Sequence, residues 1–384
     1  MADRSTPRTR PCRSAPRLQD YPARHNSLNA LRLFLAVVVI VAHAWPIGGF
    51  GETPHVGDVS LGTLAVAGFF AVSGWLITAS RLTSELPGFA WRRFLRIYPG
   101  YLASLLVVAF VVAPVGSALG AGPYAVGDGV GHLLANLTLE VHEYAVGATP
   151  TGVPYAGVWN GSLWTLWYEA LCYVAVSLLL TVVPRRWARP AVVAAWAVVT
   201  VLAVAERSLG LEIRYDVDTF LELAPFFFAG AVLFLLRDRV ALHGLPAAIS
   251  AGWVAVVVVL DLGPAPAALP IAYLLLWLGA VLPLQRVGRR NDVSYGMYVY
   301  AFPVQQLLVL LGAHSAGIVP YVVLSTLATA PLALASWLLV ERPAQRLRHV
   351  ADRFPLVRTG TGVRRRPPRP SDETPGRTAA PAGR

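Results

Sequence analysis

Ten apolar stretches of about 20 residues follow one another along this chain, and arginines collect in every second gap between them. About 20 residues is the length an α-helix needs to cross a ~30 Å hydrocarbon core. In lipid a backbone amide has no water to bond, so each stretch must satisfy its own N–H and C=O groups, which a helix does. The expected fold is therefore all-α, a polytopic membrane protein with about ten transmembrane helices. The spans fall near 33–50, 58–80, 95–117, 162–183, 189–206, 219–236, 246–262, 267–284, 294–312 and 318–340. Of these, 246–262 and 267–284 are short and Pro-rich. A hydrophobic share of 55% agrees with this class.

The charges set an orientation. The 32 basic residues are all arginine. They lie in the N-terminal tail, at Arg81, Arg92, Arg93 and Arg96, and at Arg185, Arg186 and Arg189. They recur at Arg237 and Arg239, at Arg286, Arg289 and Arg290, and in the C-terminal tail. The intervening gaps hold only Arg207 and Arg214, and 118–161 holds none. By the positive-inside rule both termini are cytoplasmic. The net charge of +11 then reads as a topology signal with some attraction to anionic lipid. No soluble basic module is present, so no nucleic-acid partner is expected.

Three domains follow: a basic tail (1–27) and a second one (345–384), both expected to be disordered, flanking a membrane domain over 28–344. The tail, the first apolar run and Ala42-His43-Ala44 together imitate a signal peptide with its cleavage site, although the tail is long for one. Cys12 and Cys172 have no ligand-like neighbours, so neither a disulfide framework nor a metal site is expected; Cys172 reads as a small core residue. The longest gap, 118–161, contains Tyr124, His132, His142, Glu143, Tyr144, Tyr155 and Trp159. It reads either as an aromatic cover over an outer opening or as a connector packed on the bundle. Two Asn-x-Ser/Thr sequences, at Asn136 and Asn160, are too common a pattern to assign.

Ionisable side chains inside apolar runs are costly and mark sites by default. His43 stands in such a run, about 16 Å of helix beyond Arg32. If Arg32 marks the surface, His43 lies about halfway across. The plain alternative is a packed histidine bonded to a nearby carbonyl. Glu169 lies about 10 Å into the fourth run, which places it at a depth comparable to that of His43. A carboxylate beside a histidine holds its tautomer and supports the imidazolium, the pairing a general base uses. Ser73 and Gly74 put small residues among aromatics in the second run, suited to a channel wall or to close helix packing. Arg92, Arg93 and Arg96 read as snorkelling topology signals, or as forks for phosphate. Pro303 should kink the ninth run and free backbone groups near Tyr295, Tyr298, Gln305 and Gln306. Glu341-Arg342-Pro343 reads as an ion pair or cap closing the last run.

These residues, taken in order, resemble the membrane acyltransferase-3 family of integral-membrane O-acyltransferases. The resemblance rests on Arg32 and His43 in the first span, Phe69-Phe70-Ala71-Val72-Ser73-Gly74, and Arg92 to Pro99. It continues through Trp164-Thr165-Leu166-Trp167-Tyr168-Glu169, then Ser294, Tyr295 and Tyr298, and Glu341-Arg342-Pro343. Three positions depart from the family pattern: Asn29-Ala30 stands where an Asp-Gly usually precedes the arginine, Trp75 follows Ser73-Gly74, and Phe302-Pro303 replaces a His-Pro. The last change points to an altered acceptor or gating region.

The resemblance implies ten spans, cytoplasmic acyl-CoA as co-substrate (acetyl-CoA foremost) with no bound cofactor, and a carbohydrate or glycosylated small molecule as acceptor. It implies His43 as general base with Glu169 orienting it, and Arg32, Arg92, Arg93 and Arg96 as the acyl-CoA-binding set. Ser73, Gly74, Trp164, Tyr295 and Tyr298 would line the channel. A covalent acyl-histidine is an open alternative. The lysine-free composition suits a high-GC organism, hence a bacterial cytoplasmic membrane. The competing class is a proton-coupled exporter or flippase of a glycolipid, with His43 and Glu169 as a proton relay. It predicts translocation without acyl-CoA.

Overall fold

A computed structural model describes residues 16–22 and 25–353. Every one of the ten apolar runs is helical. The first two are α1 (Leu28–Gly48) and α2 (Leu61–Leu82). The third is α3 (Leu86–Val107), which passes through a π-turn at Val108–Val112 into α4 (Ala113–Ala118). A short α5 (Val126–Ala135) lies in the long gap. Then come α6 (Thr165–Val182), α7 (Ala188–Leu209) and α8 (Tyr215–Leu235). They are followed by α9 (Gly244–Val259), α10 (Ala268–Val281) and α11 (Ser294–Leu310). Last, α12 (Ile318–Ser336) runs through a second π-turn into α13 (Arg342–Arg346).

Seven of these stretches are long and apolar enough to cross a membrane: α1, α2, α3–α4, α6, Arg185–Leu209, α8 and Ile318–Val350. The other three, α9, α10 and α11, have 16, 14 and 17 residues. Of the ten expected spans, seven are thus helices of membrane-crossing length among the described residues, and three are shorter. The fold is helical but not purely so, because a two-residue hairpin, β1 (His55–Val56) with β2 (Val59–Ser60), follows α1.

Connections predicted to share a side of the membrane bond to one another. At one end Arg207 donates to Asp58 and Asp261, tying the α1–α2, α7–α8 and α9–α10 connections together. At the other end Arg189 donates to the Asp238 carboxylate and Arg17 to the Asp238 carbonyl. Trp91 donates to the Leu347 carbonyl there as well. Part of the expected N-terminal tail is folded: Leu18 is fully buried and its amide bonds Val240, and Ser27 is fully buried against Leu282. Residues 347–353 form a 3-10 turn. The remainder of both tails, Cys12 included, lies outside the described residues.

Close packing explains Gly74. A Cβ there would stand 1.8 Å from the Phe227 carbonyl oxygen, and one on Gly230 would stand 2.1 Å from the Ala71 oxygen. Each glycine therefore admits the other helix's backbone, the small-residue approach that joins helices in lipid. Two prolines inside helices, Pro46 and Pro303, are compensated by side-chain donors. Pro46 has no N–H for the Ala42 carbonyl, and Thr53 Oγ1 donates to it instead at 3.3 Å. Pro303 frees the Val299 carbonyl, and Asn160 Nδ2 donates to it at 2.8 Å.

The segment 119–164 is ordered and packed on the bundle. Trp159 is fully buried and donates to Thr149 Oγ1 at 2.8 Å. Tyr101 on α3 donates to the carbonyls of Asn136 and Thr138. Buried Asn136 accepts from the amides of His142 and Glu143 and donates to the Glu143 carbonyl. Both Asn-x-Ser/Thr sequences are therefore anchored by buried asparagines.

Candidate functional site

Helix α11 orders the site as a column. At its foot stands Asp292, whose Oδ2 accepts from Arg32 Nη1 at 3.0 Å and from Arg96 Nη2. Oδ1 accepts from Ser294 Oγ at 2.7 Å. Burial by itself would push this carboxyl up. The charges of Arg32 and Arg96, with hydrogen bonds from Ser294 and Arg96, outweigh burial and hold it well below the usual carboxylate range. Close by, buried Glu341 packs against Gly100 and accepts from Ser336 Oγ at 3.1 Å, while its Oε2 has no partner among the described residues. Of the two expected roles, an ion pair or a cap, the hydroxyl bond from Ser336 is the contact seen where the α12 stretch closes.

Further along α11 lies a small pocket of about 50 Å³. Arg32, Phe69, Ser73, Thr165, Glu169, Tyr295 and Tyr298 are among its lining residues. Glu169 Oε1 accepts from Ser73 Oγ at 2.6 Å and from Tyr173 OH at 2.7 Å. Tyr298 OH donates to the Ser162 carbonyl at 2.7 Å, which leaves Thr165 Oγ1, 2.6 Å away, to donate to the phenol oxygen. Tyr295 OH donates to the Ile97 carbonyl at 2.9 Å. The lining thus mixes hydrogen-bonded hydroxyls with the apolar side chains of Val66, Phe69, Phe70 and Leu166, and Arg32 and Glu169 are its charged members.

His43 stands beyond this cavity. Its ring meets Phe302 edge-on, with centroids 5.2 Å apart, and its Nδ1 is buried without a partner among the described residues. Gly62 of α2 packs on Ala42, the neighbour of His43, and Ser73, bonded to Glu169, lies 11 residues further along α2, so the Glu169 level and the His43 level differ by about 16 Å of helix. Among the described residues no hydrogen bond joins His43 to Glu169. The expected base–orienter contact is replaced by hydroxyls, because Ser73 and Tyr173 occupy the carboxylate. Above His43, Phe302 also packs on Tyr155 at 5.8 Å, and Gln306 donates to the carbonyls of Tyr155 and Val158. The cover segment therefore roofs His43. Its remaining aromatics include Tyr144, which with Asp128 and Glu143 lines an open pocket of about 580 Å³ facing away from the column.

The other expected site residues divide. Arg32 and Arg96 meet at Asp292. Arg93 turns away, into an apolar groove of about 240 Å³ between α3 and α6, with its guanidinium 5.8 Å over Phe89. Arg92 lines neither the cavity nor the groove. Gly74 packs on α8, and Trp164 stacks edge-on against Tyr168; neither lines the cavity. Sequence reasoning missed Asp292, Thr165, Tyr173 and Asn160. An acidic residue closing the arginine-rich 286–290 segment was the available signal for Asp292.

A sequence profile described as an acyltransferase domain matches residues 25–340. The chain belongs to the acyltransferase-3 family. Relatives of this acyltransferase include nodulation protein 10 of Rhizobium leguminosarum bv. viciae, 28% identical over 349 residues, covering 84% of this chain and 94% of the relative. An O-acetyl transferase of Shigella phage Sf6 is 27% identical over 329 residues, covering 83% and 96%. No solved structure matches. The matched region holds the whole column from Arg32 to Phe302.

Proposed function

We propose that this acyltransferase moves a short acyl group, acetyl foremost, from cytoplasmic acyl-CoA to a hydroxyl of a carbohydrate or glycosylated small molecule on the far side of a bacterial cytoplasmic membrane. The observation that carries the reading is the column itself. Cationic groups lie at one end, a polar cavity in the middle, and an imidazole under an aromatic cover at the other end. Acyl transfer from a thioester to an alcohol needs an anion site for CoA, donors for the developing oxyanion, and a base for the hydroxyl.

Arg32, Arg92 and Arg96 give the donor's phosphates a positive field, with Asp292 fixing two of the three. His43 takes the acceptor's proton. Glu169 and Ser73 line the cavity where the donor's carbonyl would lie. The phage relative is an O-acetyl transferase, which supports acetyl over longer chains. The ten-crossing topology with cytoplasmic termini belongs to the same proposal. It is supported by the way same-side connections bond to each other.

The test is calorimetric titration of acetyl-CoA into the detergent-purified protein, with transfer to added glycans followed by mass spectrometry. Binding in the micromolar to millimolar range, weakened by Arg96→Gln, is expected. No binding at millimolar acetyl-CoA, together with pH-gradient-driven glycolipid movement, would establish the exporter instead.

A further inference from the structure

We propose that the groove between α3 and α6 binds one anionic phospholipid of the cytoplasmic leaflet, with its phosphate on Arg93 and Ser177 and an acyl chain laid along the groove. The site stands apart from the column. It takes from the reading above only the orientation, in which the start of α3 faces the cytoplasm.

Arg93 is the cation that the column leaves unused. Arg32 and Arg96 share Asp292, whereas Arg93 faces the groove, whose described lining holds no Asp or Glu. Its Nε is buried with no hydrogen-bond partner among the described residues, and its guanidinium lies back over the Phe89 ring. A cation at an apolar membrane helix is costly without a counter-charge, so this groove is short of an anion. Across the groove Ser177 is 3% exposed, and its Oγ is likewise without a partner among the described residues. A serine in a membrane helix ordinarily bonds the carbonyl four residues back, and this one does not.

The two free donors lie at one level. Arg81, which precedes α3, donates to Thr181 Oγ1 on α6 at 2.7 Å. Ser177 is one turn back along α6 from Thr181, and Phe89 is in the first turn of α3. That level suits a phosphate. The stretch Leu86–Ala118 has 33 residues, about 50 Å of helix, against a ~30 Å hydrocarbon core. Its first turns therefore project into the headgroup layer. Trp91 stacks on Phe94 and Phe94 on Tyr98, rings of the kind that gather at that layer.

Beyond Arg93 the groove is walled by Phe94, Ile97, Ala170 and Val174, with Phe94 and Val174 exposed. Such a wall suits an alkyl chain and offers a sugar few bonds. The guanidinium fork matches two phosphate oxygens, and Ser177 adds a third donor. A zwitterionic headgroup would bring an ammonium toward the arginines at 92, 93 and 96, whereas a headgroup without one meets them as counter-charge.

The experiment uses the full chain, purified and stripped of lipid in detergent, then titrated with phosphatidylglycerol or phosphatidylcholine. Retained lipid is read by native mass spectrometry, and folding by monodisperse elution. One phosphatidylglycerol per chain is expected at concentrations where phosphatidylcholine is not kept. Arg93→Met, which retains an apolar stem, should weaken that binding by about tenfold or more. Arg93→Lys keeps the charge without the fork and should fall between. Ser177→Ala should lose less than Arg93→Met. Phosphatidylglycerol with a photoreactive acyl chain should label residues 86–98 and 170–178 of the wild type, a result that needs no variant to fold. The site is overturned if phosphatidylcholine is kept equally well, if Arg93→Met binds as wild type does, or if the label lies elsewhere. Displacement of the lipid by acetyl-CoA would assign Arg93 to the acyl donor and overturn it too. A protein that binds phosphatidylglycerol as described but neither binds nor consumes acetyl-CoA would keep the lipid site and lose the acyl-transfer reading.

Discussion

Replacing Asp292 with alanine should be among the most damaging single changes at the foot of the column. The carboxylate accepts from Arg32, Arg96 and Ser294, and the two guanidiniums are only 18% and 20% exposed. Without it they face each other with no counter-charge in a site that water reaches poorly. Removing one partner from a buried ion pair costs about 3–5 kcal/mol. At roughly 2–4 °C per kcal/mol for a chain of this order of size, the apparent melting point should fall by on the order of 10 °C. The measurement is the fraction eluting as a single species after heating in detergent, for wild type, Asp292→Ala and Asp292→Asn. Asparagine keeps a partner for Ser294 and should fall between the two. The dependence on pH has a definite sign. A carboxyl held below its unfolded value contributes fully above that value, about 4, and loses its contribution only as pH falls through the folded one. The gap between wild type and Asp292→Ala should therefore be flat from about pH 5 to about pH 9. An alanine variant within about 2 °C of wild type, or a gap that shrinks between about pH 8 and about pH 6, would refute the ion-pair account.

Other residues give sharper single tests. Gly74→Ala places a Cβ 1.8 Å from the Phe227 oxygen, so α2 and α8 must part; a loss of about 1–3 kcal/mol is expected, read as lower yield of monodisperse protein. Asn160→Ala leaves the Val299 carbonyl unpaired beside Pro303 and should cost about 1–3 kcal/mol in the same assay. Burial holds the His132 imidazole below its ordinary value, although its bond to the Ala145 carbonyl at 2.8 Å and the Glu143 charge pull the other way. Stability from its neutral form is complete above about pH 6.5 and is lost as pH falls below that, so limited proteolysis of 119–164 should quicken near pH 5 in wild type and not in His132→Gln. His43→Ala should lower transfer by about 10²–10⁴-fold while leaving acetyl-CoA binding unchanged by calorimetry.

The helices were legible in the sequence because the physics that makes them is local. A run such as Leu33 to Ala44 has no other way to satisfy its backbone in lipid, and its helix could be placed from the run alone. The pairing of connections was legible in outline as well. Arginines sorted into alternate gaps, and Arg189 does meet Asp238 while Arg207 meets Asp58 and Asp261 at the other end. Gly74 was ambiguous because a small residue serves a channel and a helix contact equally well; only the position of Phe227 decides between them. Asn160 was unreadable because its partner is a carbonyl freed by Pro303, 143 positions later in the chain. A proline announces the vacancy, but nothing local announces the side chain that fills it.

The misplacement of Glu169 relative to His43 has one cause. Counting depth from the start of an apolar run assumes that the run begins at the membrane surface. Asn160, Ser162 and Leu163 are 4%, 1% and 1% exposed, covered by the segment that precedes them. Helix α6 therefore starts well inside the protein, and Glu169, four residues into it, lies deeper than the count implied. The carboxylate moves away from His43 toward Arg32 and meets Ser73 coming from the opposite face. The recess that spoiled the count also separates an arginine-lined cavity from a covered imidazole by about 16 Å of helix, because Ser73 lies 11 residues along α2 from Gly62, which packs on Ala42. On the acyl-transfer proposal, donor and acceptor would be held at those two different levels.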